Sequence, residues 1–161
     1  FINGSRPPHC RYLGLCGGGE EEAMTPEYIK ACEQAKKEGW LKWNPKIWGD
    51  QCHHGLFGIG IVIGIKSDYM EVAFPSLSGT YQTRQFGRIQ EETTLTWLPP
   101  EGRLLGMLLN EGIRVDINPL GGDYLEVEFT SGDDSIPFPP TGAITDLPLA
   151  LLKAVEVVKR K

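Results

Sequence analysis

Cys52, His53 and His54 put three potential metal ligands in a row, the densest chemistry in the chain. Neighbouring residues in extended structure point to opposite sides, so such a triplet does not converge readily on one ion. No second cluster follows, because the remaining candidates are His9, Cys10, Cys16 and Cys32. These spacings match neither a paired CxxC zinc site nor a disulfide scaffold, and the cysteines read as free thiols in a reducing compartment. A small metalloprotein using Cys52, His53 and His54 is an alternative reading, but no cofactor is expected. Cys52 beside His53 is also the one thiol–imidazole neighbour pair, and adjacency in sequence is not a catalytic geometry. Glu126 and Glu128 on a strand, with Asp133 and Asp134 in a loop, read as solvated carboxylates. The glycines of Gly58-Ile59-Gly60-Ile61-Val62-Ile63-Gly64 have the wrong spacing for a phosphate loop, and no helix opens after them. No catalytic constellation emerges. The chain is read as a binding protein and not as an enzyme.

Aromatic residues offer a second kind of chemistry. Trp40, Trp43 and Trp48 fall within nine residues of one another, and Trp97 stands further on. Such side chains stack on bases or grip a peptide, and they equally fill a core. Both readings stay open. The candidate binding residues are Trp43, Trp48, His54 and Tyr81.

The elements that must position these residues follow from local patterning. Thr25 can cap a helix that has Pro26 in its first turn, an apolar stripe of Tyr28, Ile29, Cys32 and Ala35, and a stop at Gly39. From Phe57 to Ile65 every odd position is large and apolar, which predicts a strand with that side in the core and a bare glycine side opposite. Lys66-Ser67-Asp68 turns the chain into a return strand through Met70, Val72 and Phe74. Further strands are expected near residues 81–86 and 93–98. Pro99-Pro100 introduces a second helix with Leu104, Leu105, Leu108 and Leu109 on one face. A hairpin then matches Ile113, Val115 and Ile117 with Leu125, Val127 and Phe129. Thr145 or Asp146 can cap a last helix bearing Leu147, Leu151, Val155 and Val158. The expected class is α+β, with sequential antiparallel strands.

Composition narrows the function classes. The 161 residues are 40% hydrophobic and 23% charged, as in a globular protein. A net charge of −5 argues against bulk duplex-DNA or anionic-membrane binding, both of which need a basic field. Single-stranded nucleic-acid binding through the tryptophans is disfavoured by the same charge. No apolar run is long enough for a membrane-spanning helix.

The first Met is Met24, preceded by Gly17-Gly18-Gly19-Glu20-Glu21-Glu22-Ala23. Gly and Glu codons make this a purine-rich tract directly upstream of a start codon, as a bacterial ribosome-binding sequence would be if translated. Residues 1–23 are therefore expected to be a non-native or disordered translated leader, and residues 24–161 one α+β domain.

Two resemblances carry further expectations. Gly49-Asp50, Cys52, His54, Phe57-Gly58, Gly60 and Val62, followed by Val72-Ala73-Phe74-Pro75, resemble the SH3-like or Tudor-like C-terminal barrel of UvrD/PcrA-type helicases over residues 47–86. Cys52 stands where that pattern has Val. The resemblance implies an SH3-like β core and a generic binding platform. The frame around it is similar to small uncharacterised proteins encoded by phages and prophages. It comprises Met24-Thr25-Pro26-Glu27, Trp43-Asn44-Pro45-Lys46, Trp97-Leu98-Pro99 and the Leu-Leu-Lys-Ala-Val of the last helix. That resemblance implies a phage accessory protein in a bacterial cytoplasm, with a host or phage protein as its partner.

Overall fold

The computed structural model describes residues 24–132, 138 and 142–160, so the expectation for residues 1–23 lies outside the described residues. The fold is α+β, with two antiparallel sheets. The chain divides into two compact units. One contains residues 32–99, and the described part of the other contains residues 24–31 and 100–160.

Helix α1, Pro26–Glu38, forms where its cap and stripe predict it. Thr25 Oγ1 accepts from the Tyr28 backbone N–H at 3.1 Å, and Tyr28, Cys32 and Ala35 are fully buried.

The 32–99 unit carries strands β1 (Gln51–His54), β2 (Gly58–Ile65), β3 (Tyr69–Pro75), β4 (Tyr81–Gly87) and β5 (Leu95–Leu98). A short helix, α2 (Arg88–Thr94), separates the last two. The sheet order is β4-β3-β2-β1-β5, a meander whose final strand returns to pair with the first. Residues 88–94 are thus helical, and the strand expected over 93–98 starts at Leu95.

Strand register overturns one expectation. The pairs Cys52↔Gly60, Val62↔Val72 and Met70↔Phe86 place these residues on one face. Cys52, Val62, Met70, Val72, Phe74, Phe86 and Leu95 form its buried cluster. The glycine side of β2, not the isoleucine side, therefore faces this core. Gly60 is bare because its neighbours supply the bulk: a Cβ there would lie 2.6 Å from both Phe74 Cε1 and Val72 Cγ1. A register shift between Val62 and Gly64 then breaks the alternation. After it, Ile65 pairs with Met70, and Ile63 and Ile65 are exposed.

In the other unit, α3 (Glu101–Asn110) packs on α4 (Leu147–Lys159). The hairpin β6 (Ile113–Gly121) and β7 (Tyr124–Ser131) forms with the apolar positions on one face as the alternation predicts, in the register Val115↔Phe129 and Ile117↔Val127, and the two-residue β8 (Ala143–Ile144) joins β7. Leu104 and Leu108 are buried in α3. Leu109, expected on the same face, is 66% exposed. Asp146 caps α4 by accepting from Leu149 N–H at 3.1 Å, and its second carboxylate oxygen accepts from the Thr25 hydroxyl at 2.5 Å.

Candidate functional site

The His54 end of the core face opens into a pocket of about 370 Å³. Residues Gly55 to Phe57 carry the chain from β1 to β2 and fold Phe57 back onto His54. The two rings stack with centroids 4.4 Å apart, and His54 also meets Phe86 at 5.8 Å and Phe74 at 6.1 Å. Phe74 reaches this cluster because Gly60 leaves room for it.

β4 supplies the opposite wall. Arg84 shares the core face through its pairing with Val72, and its guanidinium lies 3.9 Å from the Phe57 ring centroid. A guanidinium over an aromatic face is held by the ring quadrupole while its N–H groups stay directed outward. Gln90 and Thr94 of α2 complete the wall. Gln90 Oε1 accepts from Gly87 N–H at 2.9 Å, and the Thr94 hydroxyl donates to the Gln90 carbonyl.

The imidazole tautomer follows from one contact. Leu56 N–H donates to His54 Nδ1 at 3.0 Å, so a neutral ring carries its proton on Nε2. Burial, then the charges of His53 and Arg84, hold His54 below the usual imidazole range.

The triplet Cys52-His53-His54 does not converge. Cys52 and His54 lie on the core face, whereas His53 lies on the other, with Nδ1 3.6 Å from Glu33. Burial, then Asp50, pushes the Cys52 thiol up to about 12, far from the range of a thiolate ligand or nucleophile. No group of three metal-ligating side chains occurs among the described residues.

Of the four predicted binding residues, His54 lines the pocket and the others stand apart from it. Trp43 is half-buried against the core, donates to Asp50 Oδ2 at 2.9 Å and lies parallel to Trp97 with centroids 6.4 Å apart. These two rings line a separate pocket of about 270 Å³ with Lys36, Lys42, Lys46, Glu91 and Glu92. Lys46 there pairs with Glu91 at 3.4 Å, and Lys36 donates to the Leu95 carbonyl. Trp48 is 71% exposed and donates to the Ile63 carbonyl. Tyr81 is half-exposed on β4, on the face opposite Arg84. Arg84, Phe86, Gln90 and Thr94 carried no signal in the sequence, since Tyr81 to Gln85 show no apolar periodicity.

Compared with protein-family models, curated proteins and solved structures, the chain finds no match.

Proposed function

We propose that this chain is a protein-binding module, of the accessory kind to which the phage resemblance points. It takes an extended segment of its partner along the free edge of β4. The observation that carries this reading is the contrast among the four sheet edges of the described residues. β5 is buried along its length, and Lys36 covers it by donating to the Leu95 carbonyl. β6 carries Pro119 and a register shift between Pro119 and Gly121, and β8 has two residues. Both are ways of blunting an edge. β4 has neither. It pairs with β3 in unbroken register over its whole length, Tyr81 to Gln85 are exposed, and no strand lies beyond it among the described residues.

An open edge of this kind accepts a further strand, with backbone hydrogen bonds giving affinity and pockets for alternate side chains giving specificity. The SH3-like reading is supported by the same order: a four-strand meander, one short helix, then a fifth strand returning to β1. Selection from a library of randomised nine-residue peptides against the full chain tests the function. The expected binders alternate β-branched or aromatic with polar residues. Binders with a helical repeat, or no binders, would contradict it.

A further inference from the structure

The pocket beside β4 has a sign as well as a shape. Among the described residues that line it, Arg84 is the one formal charge and none is a carboxylate. Arg84 has five N–H donors; besides its stacking on Phe57, it makes a long 3.5 Å hydrogen bond to Gln82 Oε1. Gln90 has its amide oxygen occupied by Gly87 N–H, which leaves its NH₂ group to donate. His54 has Nδ1 occupied by Leu56 N–H, which leaves Nε2–H as a donor. The spare polar capacity is thus weighted towards donors around a cation, over a floor formed by Phe57 and Phe86.

Position selects between two sources of a carboxylate. Arg84 is the central residue of β4, so a strand paired along the whole edge passes the pocket and continues beyond it. Such a strand presents a side chain there and not its chain end. The residue opposite Arg84 would project on the same face, with Cβ atoms about 5 Å apart.

Resting on the strand-addition reading above, we infer that the pocket selects an acidic side chain, Asp or Glu, at the position of the added strand that faces Arg84. Cation–carboxylate hydrogen bonds are the strong ones, and a guanidinium already stacked on Phe57 is held in place to make them. The chain's overall charge of −5 opposes an acidic peptide at long range, but that repulsion is screened beyond about 8 Å at physiological salt.

The test uses the randomised nine-residue library twice, against the full chain and against Arg84→Gln. A matching melting temperature first establishes that the variant is folded. Binders of the parent chain should be enriched in Asp or Glu at one position, and that enrichment should vanish with Arg84→Gln while the strand-like alternation persists. Replacing the selected Glu by Gln in a synthetic peptide should weaken binding about tenfold to the parent chain and little to the variant. Strand-like binders without acidic enrichment overturn this inference and leave the strand-addition reading standing. Acidic enrichment that survives Arg84→Gln also overturns it. Enrichment confined to a C-terminal carboxylate would assign the pocket to a chain end instead. An absence of binders overturns both readings.

Discussion

Phe74 occupies the space that a side chain at residue 60 would need: a Cβ on Gly60 would stand 2.6 Å from its Cε1 atom. The bare backbone of β2 is thus what lets Phe74 join Phe57, Phe86 and His54 at the pocket. Gly60→Val should cost about 1–3 kcal/mol by overpacking, read from urea denaturation. Ile63→Ser, on the exposed bulge, should stay within about 0.5 kcal/mol. Equal costs at the two positions would contradict the assignment of the faces.

Thr25 and Asp146 tie two helix N-termini together. Thr25 caps α1, Asp146 caps α4, and the threonine hydroxyl donates to the aspartate. Asp146→Ala should cost about 1–2 kcal/mol, because it removes a cap and the acceptor of a second one. Thr25→Ala should cost a similar amount. The double variant should cost less than the two together, since they share one bond. Strict additivity in denaturant titrations would argue against the coupling.

Acid should weaken the fold through His54. Its pKa lies below the ordinary 6.5, first through burial and then through His53 and Arg84. Between the folded and the ordinary values the unfolded chain binds more protons, so stability rises with pH there. The stabilisation is complete above the ordinary value and is lost as pH falls to the folded one. Phe57, Phe74, Phe86 and Arg84 face the ring, and among the described residues no carboxylate lines the pocket to welcome the added charge. His54→Gln should flatten this part of the stability–pH curve. An unchanged slope in the variant would assign it to other groups.

Cys52 should be chemically silent. Buried and with its thiol pushed up to about 12, it should escape iodoacetamide at pH 8 in the native chain and react after denaturation. Mass spectrometry of the peptide spanning residue 52 reads both states. Native alkylation at Cys52, or stoichiometric zinc lost with Cys52→Ser, would reopen the metal reading.

The parts legible in the sequence are those in which one local pattern decides the outcome. Thr25 and Asp146 mark helix starts, and the apolar alternation of β6 and β7 marks the face their hairpin shares. β2 misleads because its isoleucines outweigh its glycines in any local count. Burial there is decided by Val72 and Phe74 on the neighbouring strand and by the shift after Val62. The same segment's resemblance to a barrel motif rests in part on His54, Gly58, Gly60 and Val62, which register places on the core face together with Cys52, the residue that departs from the motif. α2 has no apolar stripe to betray it, since none of its residues is buried. The pocket was half legible. His54 stood out by type, whereas Arg84 and Gln90 reach it only through strand pairings across β2, β3 and β4 and through the turn into α2.

Hydrogen–deuterium exchange of the full chain, with and without a peptide selected by it, tests strand addition at β4 most directly. Backbone amides of Tyr81–Gly87 should gain protection on binding, with smaller changes at the segment 54–57 and none in β6 to β8. Protection centred on β6 to β8, or on the tryptophan segment 40–48 with β4 unchanged, would contradict it.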